Sequence, residues 1–339
     1  MASIISFDSK EYHAGTNRDF FAILGLGLRW QSPEAAKTAV TRAMRAVESE
    51  IGLPRARELY CSAHIKEERP FDHLRIADRF AELVRGDILE AFFVYTGISP
   101  SKVPQIYSQA WRGGMDSLEF LRNILLQAHP VLCAWAMMND RPPQPDECIW
   151  LDHFQGHESL AWSEVRRLRM QIFFRGDCCC PGIAATDMVL AAADNRLRAR
   201  RLTNMDAMTV FDEMGIRTTV KFLGQPNLKE IVPLSQSPLD TAPYIAHPVY
   251  FIMGEERPPL TGRKEWEKTK EWMDVLIKAE SRAASTGGCV KWFDPANDSR
   301  LMKPGDVFIS LGDKSDKIAA ALGRGMGLRT VRFPAEPIP

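Results

Sequence analysis

No stretch of the chain approaches the roughly 18 consecutive apolar residues that a membrane-crossing helix needs, and no basic start followed by an apolar run opens it. A membrane span and a secretory leader are therefore not expected, and a cytoplasmic setting is. Net charge is lacking too: Lys plus Arg and Asp plus Glu both number 43, so global electrostatics do not announce nucleic acid. The 7 cysteines, at 61, 133, 148, 178, 179, 180 and 289, are an odd number in a long chain, which fits reduced thiols better than a disulfide framework. Cys178-Cys179-Cys180 has no Cys-x-x-Cys partner, and three consecutive residues on regular backbone cannot all face one ion. A zinc site is not expected there; buried thiols ahead of a helix are. Neither the Gly-x-Gly-x-x-Gly spacing of a dinucleotide site nor a Walker lysine motif occurs.

What is present is apolar material, 45% of 339 residues, enough to bury a large core. Residues 3–12 and 19–30 read as two strands around Gly15-Thr16-Asn17. Ser32 and Pro33 start a helix that keeps Ala36, Ala39, Val40, Ala43, Met44 and Val47 on one face and stops near Gly52. Further strands are expected at 58–65 and 88–95, in a segment ending at Asp152, and at 170–175. Helices are expected at 71–85, 101–112, 115–138 and 158–167, and from Pro181 to about Arg201. Residues 206–248 read as linker and short strands, rich in Pro, Ser and Gln from 224 onward. A small α/β unit over 249–339 follows, with strands at 249–253, 289–293, 306–311 and 329–333 and helices at 263–283 and 315–324. A hairpin followed by strands alternating with helices implies, for 1–205, an α/β fold with a mixed sheet and helices on both faces.

Three aspartates sit where lone charges are costly. Asp8 lies in the β-branched and aromatic run Ile4-Ile5-Ser6-Phe7-Asp8, Asp152 ends the apolar strand Cys148-Ile149-Trp150-Leu151-Asp152-His153, and Asp187 lies in the small-residue helix Ile183-Ala184-Ala185-Thr186-Asp187. A carboxylate facing an apolar interior costs several kcal/mol unless paired, protonated or bound to a cation, so a shared metal site is one reading. The plainer reading pairs Asp8 with Lys10 or Lys66, makes Asp152 a helix cap and pairs Asp187 with an arginine one turn away. Residues 163–201 hold 8 arginines, no lysine and 4 acids, which suits either a polyanion or a solvated helix face.

The early strand with Asp8, the strand ending in Asp152 and the segment Gly176-Asp177-Cys178-Cys179-Cys180-Pro181-Gly182-Ile183-Ala184-Ala185-Thr186-Asp187 together resemble the ribonuclease H-like domain-of-unknown-function family 3800, over roughly residues 3–201. The resemblance implies a ribonuclease H-like fold and a nuclease that hydrolyses phosphodiester bonds with two Mg²⁺ or Mn²⁺ ions. By it, Asp8, Asp152 and Asp187 are metal ligands and catalytic residues, His153 or His157 assists proton transfer, and Arg196, Arg198 and Arg200 hold substrate phosphate. Asp177 matches the polar residue before the helix. Ser9 stands where the family carries glutamate, and Tyr95-Thr96-Gly97 offers no acid. The competing expectation is therefore a catalytically degenerate module that binds nucleic acid or a protein. Nucleic acid is the expected partner, with a protein partner or self-association through the C-terminal unit as the second expectation. His64 is expected to be a satisfied strand histidine.

In the C-terminal unit, Lys303-Pro304-Gly305-Asp306 through Ser315 has the strand-turn-helix order that presents backbone N–H groups to a phosphate or sugar. Asp313 as an N-cap explains the same residues without a ligand. Trp266, Trp272, Met273, Leu276 and Ile277 are expected to form a docking face.

Overall fold

The computed structural model describes residues 3–12, 21–98, 144, 146–153, 169–200, 202–224, 244–254 and 270–339. The expected helices at 101–112, 115–138 and 158–167, the Gly15-Thr16-Asn17 turn, His157, Arg201 and Trp266 lie outside these residues. Among the described residues, no helix is long and apolar enough to cross a membrane.

The fold is α/β with two sheets. The first has six strands: β1 (Ile4–Tyr12), β2 (Phe21–Trp30), β3 (Glu90–Ile98), β4 (Cys148–His153), β5 (Met170–Phe174) and β6 (Thr218–Gly224), in the order β5-β4-β1-β2-β3-β6. β1, β2 and β3 form an antiparallel meander, while β4 runs parallel to β1, β5 parallel to β4 and β6 parallel to β3, so the sheet is mixed. β6, which falls within the residues expected to be linker and short strands, extends the first sheet, and residues Asn204–Glu213 before it are helical.

Alternation along β1 decides what faces what. Ile4, Ser6, Asp8 and Tyr12 share one face, and on β2 Ala22, Leu24, Leu26, Leu28 and Trp30 join the same buried cluster as Ile4 and Tyr12. Ile5 and Phe7 on the opposite face are buried as well. Phe7 needs Gly27 opposite it, because a Cβ there would lie 2.6 Å from the Phe7 ring.

Helices α1 (Pro33–Ile51), α3 (His73–Val84) and α5 (Pro181–Arg198) cover the Ser6 face. α1 begins as its sequence dictates: Ser32 accepts from the Ala35 N–H, Pro33 occupies the first turn and Gly52 closes the helix in the left-handed conformation. The segment 58–65 differs from its expected strand. Ser62–Glu68 is helix α2, with Cys61 as its N-cap and His64 and Ile65 turned inward at helical spacing.

The second sheet is parallel, in the order β10-β9-β7-β8, from β7 (Val249–Gly254), β8 (Cys289–Trp292), β9 (Val307–Leu311) and β10 (Arg329–Arg332). Helices α7 (Lys270–Thr286) and α8 (Asp313–Met326) accompany it, and α4 (Gly176–Cys179) and α6 (Asn204–Glu213) complete the eight described helices. Of the α7 residues expected to dock, Leu276 is buried in a cluster with Val275, Ala279, Ala283, Cys61, Cys178 and Cys179, and Trp272 packs on Trp292, while Met273 and Ile277 are half-buried. The contact is also ionic. Buried Glu280 of α7 accepts from Arg57 and from both Nε and Nη2 of Arg175, at 2.9 and 2.6 Å.

Candidate functional site

β1 and β4 are parallel neighbours with Ser6 opposite Trp150 and Phe7 opposite Leu151, so the next pair along, Asp8 and Asp152, emerges side by side on the face beneath α5. Asp8 is 6% exposed and Asp152 is 7% exposed. α5 lies close over this face because its first turn carries no bulk: a Cβ on Gly182 would meet Ser6 at 3.2 Å and Trp150 at 3.4 Å. Ser6 Oγ then fixes the helix. It accepts from Trp30 Nε1 at 2.9 Å and lies 2.8 Å from Thr186 Oγ1, which places Asp187 near Asp8 in the middle of β1.

Two loops complete the group. Arg175 adopts a left-handed backbone (φ 54°) after β5, and this turn points the Gly176 N–H at Asp152 Oδ1, 2.6 Å away. A Cβ on Gly176 would come within 3.1 Å of that oxygen and 2.7 Å of Ile183. The same turn brings in Asp177. From the other side, the start of α2 holds Asp187, with the Ser62 N–H donating at 2.5 Å and the Ser62 hydroxyl at 2.7 Å.

The electrostatics follow from that crowding. Burial pushes the Asp8 carboxyl well above its ordinary range, and the carboxylates of Asp187, Asp152 and Asp177 push it further, against one hydrogen bond from the Ser9 N–H at 2.7 Å. Asp187 is raised to about 6, first by burial and then by Asp177, while the Ser62 hydrogen bonds and Lys10 work in the other direction. Lys10 itself is paired with buried Asp194 at 3.1 Å. Burial and neighbouring carboxylates therefore disfavour ionisation of Asp8 and Asp187, a situation that an oxygen-seeking divalent cation relieves.

Of the other residues singled out in the sequence, His153 closes β4, and its side chain lies outside what is described. Arg196 donates to Asp78 at 3.1 Å, Arg198 makes two contacts to Asp194 at 3.1 and 3.0 Å, and Arg200 pairs with Glu213 at 2.6 Å. Arg196 is nine residues past Asp187, about 14 Å along the helix axis. For Asp8 and Asp187 the plainer pairings are not those observed, while the helix expected after Asp152 lies outside the described residues. Lys10 pairs with Asp194, Asp152 accepts from the Gly176 N–H, and Asp187 is held by Ser62. Ser62 escaped sequence reasoning because residues 58–65 were expected to be extended.

The Lys303–Ser315 segment satisfies itself. Ser315 Oγ accepts from the Leu311 N–H at 3.0 Å and donates to the Gly312 carbonyl at 2.8 Å, and Asp306 accepts from His247 and from the Val249 and Lys303 N–H groups, each at 2.8 Å. Gly312 is the residue at the N-cap of α8, with Asp313 already in the helix. Asp313 instead pairs with Arg332 at 3.1 Å.

Residues 5–242 match the family described as a domain of unknown function (DUF8203). The chain is also similar to an uncharacterized protein of Archaeoglobus fulgidus, 25% identical over 315 residues, which cover 89% of this chain and 90% of that protein. No solved structure matches the chain. The matched family is thus not the one that the short motifs around Asp8, Asp152 and Asp187 resemble. Those motifs consist of strand-end acids and a Pro-Gly helix start, which many α/β chains share.

Proposed function

The chain belongs to the DUF8203 family, and we propose that Asp8, Asp152 and Asp187, joined by Asp177, hold Mg²⁺ or Mn²⁺ and make this protein a metal-dependent nuclease of ribonuclease H-like fold. The observation that carries the reading is the raised Asp8 carboxyl: what acts most strongly on it is burial, followed by the carboxylates of Asp187, Asp152 and Asp177. The strand arrangement supports it. A three-strand antiparallel meander continued on the β1 side by two parallel strands sets Asp8 at the centre of the sheet and Asp152 beside it, the placement that the ribonuclease H-like reading requires. The donor set fits the group, since hard divalent cations take carboxylate oxygens and keep several waters. Asp177 supplies a fourth carboxylate in a chain whose Ser9 and Thr96 lack one.

Bound there, paired ions supply an activated water and a counter-charge for the leaving oxygen. The chain's own part is positioning. The Gly176 N–H fixes one oxygen of Asp152, Ser62 fixes both oxygens of Asp187, and the Ser6–Thr186 contact sets the height of α5 above β1. His153 stays the candidate for proton transfer. Arg196 and Arg200 stay candidates for phosphate contact, because exposed ion pairs are worth only about 0–1 kcal/mol and exchange readily for a phosphate. The test is cleavage of end-labelled single- and double-stranded DNA and RNA with Mg²⁺, Mn²⁺ or Ca²⁺. Cleavage with the first two that vanishes in Asp8→Asn is expected. Binding of the same oligonucleotides without cleavage in any metal favours the degenerate module, and neither binding nor cleavage rejects both readings.

A further inference from the structure

Beside the carboxylates, and independent of how they are read, lies a second group of ligand-type side chains. Cys61 is the N-cap of α2, His64 sits one turn into that helix, and Cys178 projects from α4, 117 residues away from Cys61. Among the described residues, this is the set of three or more His, Cys, Asp or Glu side chains whose ligand atoms all lie within 4.8 Å of one another. All three are buried. From this geometry we propose that Cys61, His64 and Cys178 form a zinc site, with the fourth coordination position open toward the adjoining cavity.

The separations are those of a tetrahedral ion. Zinc bonds of about 2.3 Å to thiolate and about 2.0–2.1 Å to imidazole, at tetrahedral angles, place two sulfurs about 3.8 Å apart and a sulfur and nitrogen about 3.6 Å apart. The Cys61 and Cys178 Sγ atoms are 3.7 Å apart, and Cys178 Sγ is 3.6 Å from His64 Nε2. The third separation, from Cys61 Sγ to the His64 ring nitrogen, is within 4.8 Å. His64 is also not the satisfied histidine that the sequence suggests: it is 7% exposed, and its buried Nδ1 has no hydrogen-bond partner. Arg175 Nη2 lies 3.5 Å from Cys178 Sγ, a cationic donor placed to stabilise a thiolate there.

The ligand chemistry selects the metal. Two thiolates and an imidazole form a soft set that takes zinc and leaves Mg²⁺ and Mn²⁺ to the carboxylates. The carboxylates of Asp177 and Glu280 do not belong to the compact group, which leaves three ligands among the described residues. A cavity of about 500 Å³ touches all three, and Arg57, Lys66 and Asp177 line it too, giving a water or small anion room at the fourth position. Binding releases one proton from each thiol. The site would tie together two segments that already grip the acid cluster, because Cys61 precedes Ser62, which holds Asp187, and Cys178 follows Asp177.

The three ligands escaped the sequence because a strand over 58–65 sends Cys61 and His64 to opposite faces, whereas a helix puts positions three apart on one face. Of the cysteine triplet, Cys178 is the member that faces the pair.

The experiment is metal analysis of the full-length protein, purified without chelator and dialysed against excess Mg²⁺. About one zinc per chain is expected in the wild type and in Cys289→Ser, falling at least fivefold in Cys61→Ser/Cys178→Ser. Cobalt-substituted wild type should show thiolate-to-cobalt charge transfer and the intense visible bands of tetrahedral Co²⁺. These wild-type readings decide the matter even if the double variant does not fold. Substoichiometric zinc without the cobalt bands overturns the proposal, and so does a Cys61–Cys178 disulfide in the non-reduced peptide map.

Discussion

Replacing Asp187 with asparagine is expected to stabilise the metal-free protein selectively at neutral pH. The carboxyl titrates at about 6 in the folded chain against an ordinary value of 3.8. The folded state therefore holds the extra proton between about pH 4 and pH 6, and stability falls as pH rises through that window. Two pH units at about 1.4 kcal/mol each give roughly 3 kcal/mol lost by the wild type and not by the variant. Asparagine also accepts only one of the two hydrogen bonds that Ser62 donates, a cost of about 1 kcal/mol, but that cost is the same at both pH values and cancels in the comparison. Urea unfolding of both proteins in EDTA at pH 4 and pH 7.5 reads the difference. The wild type should lose about 3 kcal/mol more than the variant between the two. Equal losses, or a larger loss in the variant, would mean that Ser62 and Lys10 hold Asp187 ionised, and the argument from mutual repulsion would collapse.

The remaining expectations are briefer. Saturating Mn²⁺ should stabilise the wild type by about 2.7 kcal/mol at a hundredfold excess over its dissociation constant, and Asp8→Asn should abolish the shift in a thermal melt. Gly182→Ala should cost about 1–3 kcal/mol, because the new methyl group meets Ser6 and Trp150 at 3.2 and 3.4 Å and lifts α5 from β1; an unchanged urea midpoint refutes that close packing. Glu280→Ala should destabilise by about 3–5 kcal/mol in the same assay, since it strands Arg57 and Arg175. If Arg196 and Arg200 exchange their acid partners for phosphates, Arg196→Ala/Arg200→Ala should flatten the slope of log affinity against log salt by roughly two units; an unchanged slope removes them from the substrate path.

Local chemistry made part of this legible in advance. The alternation in β1, the Ser32-Pro33 start and Gly52 stop of α1, and the Pro181-Gly182 start of α5 are written in adjacent residues, and the structure follows them. Asp8 and Asp152 could be placed because strand alternation fixes which face of the sheet each residue takes. What stayed hidden depends on distant partners. Arg196 and Arg200 end on Asp78 and Glu213, which no spacing rule connects to them. Residues 58–65 hold a single β-branched side chain, Ile65, and fold as loop and helix; reading them as a strand concealed both the Ser62 clamp and the Cys61–His64 pair.

The central claim, that the buried carboxylates form a divalent-cation site, is tested most directly by titrating the protein, stripped of Mg²⁺ and Mn²⁺, with Mn²⁺ and following free Mn²⁺ by electron paramagnetic resonance. Saturable uptake of one or two Mn²⁺ per chain in the wild type, lost in Asp8→Asn and competed by Mg²⁺, is the expected result. A signal that rises from the first addition as it does in buffer, or uptake that Asp8→Asn leaves unchanged, would contradict it.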